Sequence, residues 1–208
     1  MTYPNKSFKD SNSSPPVTAE KTKAWTGIDA LVVLGFALMG ALLLWGKAAV
    51  FHRAATGEGI PLGWDNLMAL LSVLWVLQFM GALCAALTTR KPGVAFVGFV
   101  MTVILCRALV GSFEQLSWST ILLTGLAMEA AFLAFKYKRF TIFTAALSGA
   151  AAVVVTGIAT FTTLNLAPGT AALQFRAEVI QLLVTVVTVA PVSYLLAIAV
   201  RSAFYKTS

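Results

Sequence analysis

Six apolar stretches of roughly twenty residues each, divided by short polar breaks, constrain this chain more than any other feature. They run over about 27–51, 65–88, 93–112, 117–135, 140–163 and 174–200. A helix needs about 20 apolar residues to cross ~30 Å of hydrocarbon. In lipid the backbone must also satisfy its own hydrogen bonds, which a helix does. The expected fold is therefore an all-α membrane protein, a bundle of six transmembrane helices. The breaks carry turn chemistry: "GEGIPLG" (Gly57–Gly63), "RKPG" (Arg90–Gly93), "SFEQLS" (Ser112–Ser117), "KYKR" (Lys136–Arg139) and "NLAPGT" (Asn165–Thr170). Composition agrees, with 59% hydrophobic and 11% charged residues against about 25% charged in a soluble domain.

The charges sort by side. Lys6, Lys9, Lys21 and Lys23 precede the first span, Arg90 and Lys91 follow the second, and Lys136, Lys138 and Arg139 follow the fourth. Arg201 and Lys206 close the chain. Lys and Arg near span ends stay cytoplasmic, so both termini are expected inside. The opposite breaks hold Arg53, Glu58, Asp65 and Glu114, which nearly balance. "RKPG" then reads as a tight cytoplasmic turn, with Pro92 starting the next helix. The net charge of +7 does not indicate nucleic acid, because the cations form no exposed stripe. Residues 1–24 are polar and rich in Ser, Pro and Lys, and are expected to be a disordered cytoplasmic tail. Residues 25–208 form the membrane domain.

Candidate binding residues lie at the outer end. Arg107 sits about one turn inside the third span, where a charge pairs with protein or meets a ligand. Glu114 or Glu178 could pair with it. Trp64 and Trp118 are candidates for stacking a flat heterocycle, although an interfacial aromatic belt explains most such residues. Asn165 and Gln174 offer hydrogen bonds, and "NLAPGT" reads as a possible lid. The proposed substrate set is thus Trp64, Arg107, Glu114, Trp118, Asn165, Gln174 and Glu178. Lys47 and Arg53 read as snorkelling cations, and Glu129 as a structural hydrogen-bonding group. Ala37 and Ala41, four apart beside Gly40, would let two helices approach closely, either within the bundle or as a partner-docking face. Cys84 and Cys106 read as buried free thiols. One histidine, His52, leaves no metal-ligand spacing, and no catalytic pair or phosphate loop is present. Neither an enzyme nor a cofactor is expected.

"TTRKPGVAF" and "GLAMEAAFLAFKYKRF" carry a resemblance. Arg-Lys-Pro-Gly before a small apolar helix resembles the YkoE-type substrate-binding (S) components of energy-coupling factor (ECF) transporters. So does Gly125-x-x-x-Glu129-Ala130-x-Phe132-Leu133-Ala134 before a basic turn. The likeness covers spans two to six, and both motifs occur in order. It implies a six-helix subunit of the bacterial plasma membrane that binds thiamine or a related pyrimidine precursor from outside. Its implied partners are a transmembrane coupling subunit and two ATPases, whose ATP hydrolysis topples the subunit to release substrate inward. In that setting Ala37 and Ala41 look like the docking face. The third span, "GFVMTVILCRALVG", departs from the family by carrying Arg107 and no acid, which suits a neutral or anionic ligand better. The alternative is a non-catalytic accessory subunit of another membrane complex.

Overall fold

Each apolar run becomes a helix. The computed structural model describes residues 24–55, 64–110, 117–163 and 168–205. The helices are α1 (Gly27–Ala55), α2 (Trp64–Thr89), α3 (Val94–Val110), α4 (Trp118–Ala134), α5 (Ile142–Thr163), α6 (Pro168–Val184) and α7 (Ala190–Phe204). A single π turn, Thr185–Val189, joins α6 to α7 in one continuous rod. No strand occurs among the described residues. Three stretches are long and apolar enough to cross a membrane: Gly27–Val50, Ile142–Thr162 and Ala171–Phe204. Val73–Thr89, Val94–Leu109 and Trp118–Ala134 are shorter apolar helices. The expected tail, except Ala24, lies outside the described residues.

The π turn has a cause in the sequence. Pro191 has no N–H and its ring crowds the preceding turn. One wide turn absorbs this: the Ala190 N–H donates to the Thr185 carbonyl, five residues back. The Thr185 hydroxyl donates to the Gln181 carbonyl at 2.7 Å, so a backbone acceptor of the disturbed ladder keeps a partner.

α2 is the hub, with α1, α3, α5, α6 and α7 all packed on it, while α4 bridges α3 and α5. The core is built on Phe79, Leu83, Phe99, Ile121, Met128 and Phe132, all essentially buried. Small residues set the spacing. A methyl on Gly81 would collide with the Phe36 carbonyl of α1, so these two backbones nearly touch. Ala37 and Ala41 are wholly buried. This corrects the docking expectation: their small faces are used inside the chain, closing α1 on its neighbours. α1 instead exposes Leu31, Leu34, Leu38, Leu42 and Trp45.

Two short turns hold the basic end. α2 stops at Arg90, which takes a left-handed φ of 55° while its N–H donates to the Ala86 carbonyl. Gly93, at φ 82°, precedes α3, and its carbonyl receives the Val97 N–H. Pro92 therefore lies just before α3 and does not start it. The α4–α5 turn places Lys136 and Tyr137 at φ 51° and 54°.

Candidate functional site

The carboxylates at the basic end and the carboxylate on α6 are held differently. At the basic end, Asp29 is wholly buried in the first turn of α1. Thr26 and Asp29 form a reciprocal cap: the Thr26 N–H donates to Asp29 Oδ2 at 2.7 Å, and the Asp29 N–H to Thr26 Oγ1 at 3.3 Å. Lys91 Nζ pairs with Asp29 Oδ2 at 2.5 Å and donates to the Ala24 carbonyl at 2.6 Å. Tyr205 donates to Asp29 Oδ1 at 2.8 Å. One carboxylate thus ties the start of α1, the α2–α3 turn and the end of α7.

Glu129 does the same for α3. Its carboxylate accepts the Gly93 N–H at 2.6 Å, the Phe96 N–H at 3.2 Å and the Tyr137 hydroxyl at 2.6 Å. A helix start leaves N–H groups without intrahelical partners and favours negative charge. Glu129 supplies both needs from α4. Burial, and then the bond to Glu129, push the Tyr137 phenol above its usual range. The expected structural role of Glu129 holds, and it links the two motifs that carried the resemblance.

Away from this clasp, the polar groups on α6 are not all satisfied. Gln174, Glu178, Gln181 and Thr185 succeed one another at spacings of four, three and four, which puts them on one face of the last rod. Gln174 Nε2 donates to Glu178 Oε1 at 2.9 Å. Glu178 Oε2 is buried with no hydrogen-bond partner, as is Gln181 Oε1. A methyl on Gly157 would lie 2.8 Å from Glu178 Oε2, so a glycine of α5 makes room for this carboxylate. Lower down, Thr185 packs on Gly149 of α5. Thr124 and Thr156 share a hydrogen bond of 3.3 Å between α4 and α5. On α2, Gln78 is buried, and its Nε2 also lacks a partner. A buried polar atom left unpaired costs about 1–3 kcal/mol.

Arg107 and Trp118 come together, with the guanidinium 4.4 Å from the indole centroid. Ser117 caps α4 by accepting the Thr120 N–H at 3.2 Å, which fixes the start of the helix that carries Trp118. Lys47 is half-buried and lies 3.6 Å from the Trp75 ring centroid. It stacks on an aromatic ring rather than only reaching for the interface. α6 packs on α2 and α5 but on neither α3 nor α4, so the Arg107–Trp118 pair and the Gln174–Glu178 pair stand on helices that do not pack together. Trp64 opens α2, and its side chain lies outside the described residues, as do Glu114 and Asn165. The second half of "NLAPGT" is the first turn of α6, because proline at a first helical position costs no hydrogen bond.

Sequence reasoning missed Asp29, Gln78, Gln181 and Thr185. Asp29 had a local signal, Thr26-Gly-Ile-Asp29 before an apolar run, which is a capping pattern. Gln181 and Thr185 follow from extending the Gln174–Glu178 spacing down the helix. Cys84 and Cys106 are buried free thiols, as expected. Among the described residues no three His, Cys, Asp or Glu side chains group as metal ligands.

Residues 28–155 match a family described as ABC-type cobalt transport system, permease component. A solved structure titled "Crystal structure of an S-component of ECF transporter" is similar over 88% of this chain and 87% of its own. The TM-score is 0.63 and the identity 20%. That likeness speaks for the fold. No curated protein matches. With the family match covering well over half its length, this multi-pass membrane protein belongs to the ABC-type cobalt transport system permease components and has the fold of an ECF S component.

Proposed function

We propose that the chain is the substrate-binding subunit of an ECF-type importer of the bacterial plasma membrane, with six spans and both termini cytoplasmic. It takes up thiamine or a related pyrimidine precursor at the outer end. A coupling subunit and two ATPases supply the energy, and ATP-driven toppling delivers the substrate inward. The observation that carries this reading is the polar stripe on α6, where a buried carboxylate oxygen of Glu178 has no partner. A carboxylate oxygen left unpaired among packed helices is explained by a ligand that pairs with it. An acceptor pair, Glu178 Oε2 and Gln181 Oε1, favours a cationic or hydrogen-bond-donating edge such as an aminopyrimidine or thiazolium ring. Glu178 thereby supplies the acid that the third span lacks. Arg107 has the Trp118 ring against its guanidinium and lies on α3, which does not pack against α6.

The cobalt of the family description fits these residues less well, since the described ones offer no ligand cluster. Trp64, Glu114 and Asn165 remain part of the proposed outer site. Titrating the purified protein with thiamine, hydroxymethylpyrimidine and cobalt(II) tests the assignment. Saturable heat with an organic ligand supports it. Heat with cobalt alone would replace the substrate, and heat with none, together with a native complex lacking ATPases, would favour an accessory subunit.

A further inference from the structure

At the basic end two arginines lie at the ends of the packed helices α2 and α7, and among the described residues neither is paired with a carboxylate. Arg90 ends α2, is exposed, and places its guanidinium 5.9 Å from the Phe140 ring centroid. Arg201 lies in the last turn of α7, half-buried, with Nη1 buried and lacking a hydrogen-bond partner. α7 packs on α2, and Cys84 of α2 reaches the Ser193 carbonyl of α7 at 3.6 Å. Partial burial first, and the neighbouring Arg201 charge second, hold the Arg90 guanidinium below its usual range. Among the described residues the acids of this end are already engaged: Asp29 with Thr26, Lys91 and Tyr205, and Glu129 with Gly93, Phe96 and Tyr137. Two like charges brought together beside a partly dry surface are unfavourable until an anion joins them.

We propose that Arg90 and Arg201 together bind a phosphate-bearing anion, either the headgroup of an anionic phospholipid or inorganic phosphate. Guanidinium forks match phosphate oxygens in geometry as well as charge. Basic pockets between helices at a membrane surface suit anionic headgroups, and the last turn of α7 is such a place. The buried Nη1 of Arg201 gains the acceptor it lacks, and the repulsion between the guanidiniums is relieved. This site is independent of the outer one.

The full-length protein is reconstituted in phosphatidylcholine nanodiscs with and without phosphatidylglycerol, and bound lipid is read by native mass spectrometry. Wild-type protein is expected to retain phosphatidylglycerol. Arg90→Gln and Arg201→Gln should each weaken retention roughly tenfold, as for losing a charge-assisted fork. Lys138→Gln, which removes an exposed cation of the α4–α5 turn, should change it by no more than about twofold. Displacement of the lipid by inorganic phosphate assigns the site to phosphate in general, and its persistence assigns it to lipid. Should Arg201→Gln fail to fold, Arg201→Lys keeps the stem and charge but loses the fork, and an intermediate loss is expected. Equal weakening by Lys138→Gln and Arg201→Gln, unaltered binding in Arg201→Lys, or no binding of either probe overturns the proposal.

Discussion

The clasp around Asp29 and Glu129 and the stripe along α6 are both polar constructions in an apolar bundle, and they differ in saturation. Each carboxylate of the clasp accepts from three residues. On the stripe, Glu178 accepts from Gln174 alone, and a second oxygen is left buried and bare. A saturated group holds helices together, whereas an unsaturated one is a cost that a ligand can offset. The two regions should therefore respond oppositely to mutation, in stability at one end and in binding at the other.

The largest effect is expected at Asp29. Asp29→Ala leaves the Lys91 ammonium without its partner and frees Tyr205 and the α1 cap. Breaking such a buried pair costs about 3 kcal/mol, read as a lower unfolding midpoint in detergent, with substrate affinity unchanged in the folded fraction. Glu129→Gln is milder, since an amide still accepts hydrogen bonds but without the charge. A loss of about 1–2 kcal/mol is expected, again with binding intact. Loss of thiamine affinity in either variant at full stability would break the distinction.

Gly157→Ala probes the other region. The added methyl would sit 2.8 Å from Glu178 Oε2 and must move the carboxylate. Substrate affinity should fall several-fold, about 1 kcal/mol, with a smaller change in unfolding midpoint. The smallest effect concerns pH. The Tyr137 phenol is raised above 10.0 in the folded protein by burial and Glu129. The folded state then holds this proton more tightly than the unfolded chain. Its stabilising contribution is present below about pH 10 and declines as pH rises further. Tyr137→Phe should flatten that part of an alkaline stability profile.

The helices were legible because each is a long apolar run between turn residues, and the tight "RKPG" turn was legible from its proline and glycine. Glu129 could be read as structural from its place beside a basic turn. The inward faces were not legible. Lipid and core are both apolar, so these helices show little amphipathic pattern to mark which side is buried. That is why Ala37 and Ala41 could be read as a docking face when they pack inside the chain. The clasp escaped notice because it joins residues 29, 91 and 205, which no local spacing connects. Within the site, Gln174 and Glu178 were visible as polar residues at a span's edge. Gln78 and Gln181 were hidden as single amides inside apolar runs. Arg107 meets Trp118, α6 with Glu178 does not pack against α3, and Glu114 lies outside the described residues.

Glu178→Gln tests the central claim most directly, with thiamine affinity and unfolding midpoint measured on the same preparation. The substitution keeps size and the bond with Gln174 but removes the unpaired charge. Affinity is expected to fall tenfold or more, roughly the worth of one hydrogen bond to a charged group, while the midpoint stays level or rises. A lowered midpoint with unchanged affinity would make Glu178 a structural residue like Asp29 and contradict the account.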